Sequence, residues 1–212
     1  MAKSCCEKKE TELAQLRLKQ GGVLKIVLIT NALMFLVEFS FGLISQSSAL
    51  MADSLDMFGD ATVYAFSLYA LNRGALWRAR AGFSKGIIMA LFGFVVLGQV
   101  IYRNINGIVP QADTMSVIGA LALAANAYCL YLLYNHRSDD INMRSTWLCS
   151  RNDIIANVGV IAASALVAYF QSGLPDVIVG SAIATLFLKS AYEVLTEAKL
   201  EIHNNTNPLK PA

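Results

Sequence analysis

Three aspartates, Asp53, Asp56 and Asp60, stand in the stretch SSALMADSLDMFGDATVYAF, which is otherwise almost wholly apolar. At spacing i, i+3, i+7 they share one broad face if the stretch is helical. A second group lies in STWLCSRNDIIANVGVIAA, where Cys149 and Asp153 are four apart and Asn157 continues their face one turn further. Acids in such a setting hold a cation, carry protons or serve as an acid–base pair. Asp56, Asp60, Cys149 and Asp153 make two i, i+4 pairs, and four such donors suit a tetrahedral divalent ion. Three hard oxygens with one soft thiolate favour zinc or cadmium over magnesium or calcium. Asp53 and Asn157 stand beside this set as accessory donors, and Asp53 is the acid that neighbouring hydroxyls and amides can most readily absorb.

The setting of these residues is a membrane. Of 212 residues, 56% are hydrophobic and only 15% charged, too apolar a balance for a soluble domain of this size. A formal net charge of +2 is uninformative by itself, so the placement of the charges matters more. The cysteines at 5, 6, 129 and 149 make no secreted disulfide framework, and no cleavable signal peptide is apparent. Burying even one carboxylate at mid-bilayer costs about 3 kcal/mol, so a stripe of three requires protons or a cation to relieve it.

Apolar runs long enough to cross hydrocarbon occur at about 22–44, 47–71, 86–104, 115–134, 145–170 and 174–199, each near the ~20 residues a span needs. Single apolar segments cross only as helices, so an all-α bundle of six transmembrane helices is expected. Fourteen of the seventeen lysines and arginines fall on one side if both termini are cytoplasmic, leaving Arg103 outside and Arg151 and Lys189 within spans. Lys189 can pair with Glu193 four residues on, and Arg151 can reach headgroups. Rise per residue puts Asp60 roughly 16 Å and Asp56 roughly 22 Å from the inner end of the second helix, with Cys149 roughly 6 Å and Asp153 roughly 12 Å into the fifth. These depths overlap within the error on the helix ends, so the two pairs can meet.

The segments ISQSSALMADSLDMFGDA, WLCSRNDIIANVGVIAA and PDVIVGSAIATLFLKSAYEVL, with Glu38 and Gly42 before them, resemble the cation diffusion facilitator family. Members of that family are six-helix exporters of divalent metals driven by proton exchange. The resemblance implies metal ligands at Asp56 and Asp60 on the second helix and at Cys149 and Asp153 on the fifth. The family usually has a histidine where this chain has Cys149, and the thiolate favours cadmium, zinc or mercury over manganese. It implies residues 1–21 as a cytoplasmic segment, 22–199 as the cation-efflux domain and 200–212 as a short tail. Many relatives add a ferredoxin-like domain after the sixth helix; here the chain stops about a dozen residues past it, so a homodimer would form mainly through membrane helices. Glu38 and Asn126 sit where the family often has a polar residue, with helix–helix hydrogen bonding as their ordinary role.

The expected function is therefore zinc or cadmium export by metal/proton antiport with alternating access. The metal is cargo, no resident cofactor is expected, and the partners are protons and the bilayer, with no nucleic acid. A compact chain without targeting signals suits a bacterial inner membrane. Cys5 and Cys6 can serve as a soft-metal capture point or be incidental thiols, while His136 and His203 stand alone and read as solvated. The charged stretch EKKETELAQLRLKQ reads as a short helix on the inner surface. Two rivals use the same carboxylates: a proton-coupled organic-cation transporter, which has no need of Cys149, and an intramembrane aspartyl enzyme, for which a substrate-gating motif is lacking.

Overall fold

A computed structural model of the chain describes the backbone of residues 5–70, 75–134 and 141–206; the side chains before residue 21, most of those at 63–81, those at 135–150 and a few others lie outside the described residues. It contains six helices in sequence: α1 (Cys5–Ile44), α2 (Ser48–Ala70), α3 (Ala75–Ile105), α4 (Ala112–Tyr134), α5 (Ile141–Phe170) and α6 (Leu174–Thr206). Five of them contain stretches long and apolar enough to cross a membrane, at Gly21–Ile44, Gly82–Ile105, Ala112–Tyr134, Asp153–Phe170 and Leu174–Leu200. The sixth, α2, is 23 residues long, enough to span, and falls short on composition because it carries Asp53, Asp56 and Asp60. The charged stretch expected as a separate surface helix is instead continuous with the first span in α1, since no proline interrupts the run between them.

Large apolar side chains cover the outside. Leu36, Phe94, Val117, Leu121, Tyr169 and Leu186 are all at least half exposed, as expected where the surrounding solvent is hydrocarbon. Burial then follows a different logic, and α2 has the most buried position. Among the described residues it is the helix that meets all five others, and every residue from 47 to 55 is buried. Asp53 therefore lies fully inside the bundle, and Asp56 and Asp60, one and two turns on, are half-buried.

Close approach to α2 is made possible by small residues. At Gly42 of α1 an added Cβ would lie 2.8 Å from the Met51 side chain and 2.9 Å from its backbone nitrogen; at Gly180 of α6 it would lie 2.8 Å from the Ser48 carbonyl carbon. This is the small-residue packing that drives helix association in lipid, where apolar surface gains nothing by burial against apolar solvent. Phe35 and Phe39 of α1, Phe58 of α2 and Phe92 of α3 form an aromatic cluster where these three helices meet, with ring centroids 5.1–6.4 Å apart.

The helix ends are closed by identifiable devices. Gln46, at φ 56°, ends α1 with Ser47 N–H donating to the Gly42 carbonyl and Gln46 N–H to that of Leu43. Gly107, at φ 61°, repeats the pattern after α3, with Ile108 N–H to Arg103 and Gly107 N–H to Asn104. Both are the left-handed C-terminal cap that satisfies the last free carbonyls.

At the start of α2, Ser47 Oγ accepts from Leu50 N–H at 3.1 Å, and the two preceding N–H groups are bound from another helix. Asp176 of α6 accepts from Ser48 N–H at 2.7 Å and Ala49 N–H at 3.0 Å, and from the Ser47 hydroxyl at 2.6 Å. A carboxylate at a helix N-terminus satisfies otherwise unpaired donors and complements the helix dipole. Arg103, at the end of α3, is buried at 5% exposure near Asp176, reaching the Gly42 carbonyl at 3.4 Å and Met51 Sδ at 3.3 Å. An arginine at the end of a span can be drawn into protein when a buried carboxylate awaits it.

Candidate metal centre

The acids of α2 share one broad face and differ in depth along it. One residue turns 100° about the helix axis, so Asp56 lies about 60° and Asp60 only about 20° from Asp53, while Asp60 sits roughly 10 Å further along the axis. Asp56 and Asp60, both half-buried, open into a cavity of about 730 Å³ between α2, α5 and α6, with Met89 of α3 at its edge. Asp153 of α5 lines the same cavity and lies within hydrogen-bonding reach of Asp60. Three carboxylates from two antiparallel helices thus line one space, as the depths estimated from helical rise allow.

Small residues keep that space open. Gly59 lies between the two acids of α2, and a Cβ there would lie 3.2 Å from the Phe187 ring. Ala156 and Gly159, three and six residues after Asp153, line the same wall. Lys189 and Glu193 stand at the edge, paired at 3.9 Å with both side chains well exposed, as their spacing on α6 predicts. Cys149 lies on α5 one turn before Asp153; its side chain lies outside the described residues. Among the described residues no three His, Cys, Asp or Glu side chains converge at metal-ligand spacing.

Asp53 and Asn157 do not line the cavity. Asp53, at 1% exposure, lies deeper along α2, where it meets Glu38 of α1 and Asn157 of α5. Asn157 Nδ2 donates to Asp53 Oδ2, while Asn126 Nδ2 of α4 donates to Asn157 Oδ1 at 2.8 Å. Glu38 of α1 packs beside Asp53, fully buried, and neither of its carboxylate oxygens completes a hydrogen bond. The helix–helix role expected for Asn126 is realised; the position of Glu38 is more unusual, because a buried carboxylate without a donor is costly.

Asp176 escaped the sequence reading. Just after a proline at the start of α6, it looks like an acid serving its own helix, and no local feature reveals that it caps α2. The only signal is that Ser47 and Ser48 open a helix without an acid in its first turn.

With this geometry in view, the chain's relatives can be considered. The family model for the cation efflux transmembrane domain matches residues 24–202. The zinc transporter ZitB of Pectobacterium atrosepticum is 27% identical over 192 residues, covering 84% of this chain and 60% of that protein. The metal cation efflux system protein CzcD of Cupriavidus metallidurans is 27% identical over 197 residues, covering 82% of this chain and 61% of that protein. The cadmium, cobalt and zinc/H(+)-K(+) antiporter of Bacillus velezensis is 22% identical over 196 residues, covering 84% and 63%. The chain thus spans about three fifths of the length of the curated relatives it matches. With nearly all of its membrane region inside the match, the chain belongs to the cation efflux transmembrane domain family.

Proposed function

We propose that this multi-pass membrane protein exports divalent metal ions of the zinc and cadmium class in exchange for protons, as a secondary transporter in a bacterial inner membrane. The observation that carries the reading is the meeting of Asp56, Asp60 and Asp153 in one cavity inside an otherwise apolar bundle. The names of relatives, which include zinc transporters and a cadmium, cobalt and zinc antiporter, support the same substrate class.

In this reading Asp56 and Asp60 on α2 and Cys149 and Asp153 on α5 are the ligands. With all four ionised and no metal bound, the site would carry four negative charges in a low-dielectric interior, so protons must occupy it. Metal coordination needs deprotonated ligands and displaces those protons. If the cavity opens alternately to each side, protons entering from outside release metal there, and metal entering from inside releases protons. Each pH unit of gradient supplies about 1.4 kcal/mol per proton exchanged. No covalent step is needed.

The test is zinc and cadmium flux into proteoliposomes under an imposed pH gradient, with wild type beside Asp153→Ala. Flux that requires both the gradient and Asp153 supports the reading. If well-folded wild type moves neither metal, the metal reading fails and an organic cation becomes the cargo to test.

A further inference from the structure

Glu38 and Asp53 form a pair of buried carboxylates outside the metal cavity. Glu38 is at 0% exposure and Asp53 at 1%. Both oxygens of Glu38 and Oδ1 of Asp53 lack a hydrogen-bond partner, so the donor from Asn157 satisfies one oxygen of four. Two adjacent carboxylates buried with one amide donor between them cannot both stay ionised without a positive charge. Among the described residues no lysine, arginine or histidine supplies it: the charged groups acting on Glu38 are Asp53 and Asp56 from α2 and Asp153 from α5. From α4 the contribution to this network is Asn126, a neutral amide that acts through Asn157.

We propose that Glu38 and Asp53 form a second cation site, separate from the cavity of Asp56, Asp60 and Asp153, which holds the monovalent counter-ion exchanged for the metal. The donor set is all oxygen, with three free oxygens from two side chains, and it offers neither sulfur nor nitrogen to a zinc-like ion. Its full burial cuts the pair off from the bulk water that would keep a small divalent ion hydrated. A monovalent cation fits: either a proton shared between the carboxyl groups, as a short charge-assisted hydrogen bond, or a dehydrated alkali ion. Asp53 lies on the same helix as the cavity ligands Asp56 and Asp60, so occupancy of one site bears directly on the helix that builds the other. The role in exchange rests on the transport reading above; the existence of the site does not.

The site is tested first without metal, by thermal unfolding of detergent-solubilised protein across pH and across sodium and potassium concentration. A ligand that binds the folded state raises Tm in proportion to its occupancy. Wild type should gain stability as pH falls or as one alkali salt rises against matched choline chloride. Glu38→Gln and Asp53→Asn should each lose a large part of that gain, beyond what protons in the metal cavity supply, while Leu36→Ala on the lipid face keeps it. The pH arm identifies a proton and the salt arm an alkali ion. If Glu38→Gln and Asp53→Asn respond like wild type, the proposal is overturned.

The second test is transport. Zinc affinity of Glu38→Gln should stay within about threefold of wild type while gradient-driven zinc flux falls at least tenfold. Zinc affinity lost together with flux would assign Glu38 to the metal site and overturn the proposal. Wild type that shows the Glu38-dependent stabilisation but carries no metal would sink the transport reading and leave the cation site standing.

Discussion

At Cys149 and Asp153 the chemistry turns on single atoms. Asp153→Ala removes a cavity carboxylate, so zinc affinity should fall at least about 100-fold, the upper end of what losing a mere outer partner costs. Isothermal titration in detergent would measure it, and an affinity within twofold of wild type would exclude Asp153 as a ligand. Cys149→Ser exchanges a soft donor for a hard one. Binding of cadmium should weaken more than that of zinc, lowering the cadmium-to-zinc ratio roughly tenfold. An unchanged ratio would mean that the thiol does not touch the metal. If the proposed exchange holds, coordination displaces protons, and apparent zinc affinity should fall as pH falls, by up to about tenfold per pH unit for each proton displaced. Affinity that stays flat from pH 8 to pH 6 would rule out proton displacement at this site.

Single residues on α6 and α1 set the position of α2 as a whole. Asp176 closes three donors at the start of α2 from another helix, so Asp176→Ala leaves buried N–H groups and the Ser47 hydroxyl without an acceptor. Loss of the cap should cost about 2 kcal/mol, seen as a fall in Tm of roughly 4–8 °C. Gly180 makes the complementary case through sterics. Gly180→Ala would set a methyl 2.8 Å from the Ser48 carbonyl carbon, whereas nothing lies within 4 Å of a Cβ built at Gly98. The first substitution should therefore destabilise by about 1–3 kcal/mol through overpacking. Gly98→Ala should be neutral or stabilising, because helical alanine is favoured over glycine by about 1 kcal/mol. Equal melting temperatures for the two alanine variants would show that the α2–α6 contact tolerates expansion.

Across the whole molecule, the arrangement separates two solvents. Lipid meets apolar side chains around the outside, while α2 takes the interior, burying Asp53 among other helices and opening Asp56 and Asp60 into a cavity. Six crossings would put both ends of the described chain on one side, and the distribution of lysine and arginine predicts that this side is cytoplasmic. Reporter fusions at each end should both report the cytoplasm; a fusion after Thr206 that reports the opposite side would require one helix, most plausibly α2, not to cross.

Composition and periodicity sufficed for the helices, because in lipid a backbone must satisfy itself and an apolar run of about 20 residues has few alternatives. Helical spacing also sufficed to pair Asp56 with Asp60 and Cys149 with Asp153, since residues four apart share a face in any helix. Which neighbour each face meets was beyond that reasoning. The sequence treats Asp53, Asp56 and Asp60 as one stripe, and only packing sends Asp53 toward Glu38 and Asn157 while Asp56 and Asp60 face Asp153. Asp176 and Arg103 were equally illegible: their partners on α2 and α1 lie 128 and 61 residues away in the chain. Local sequence dictates which backbone groups a helix end leaves unpaired, but a partner contributed by a distant helix exists only once the bundle has closed.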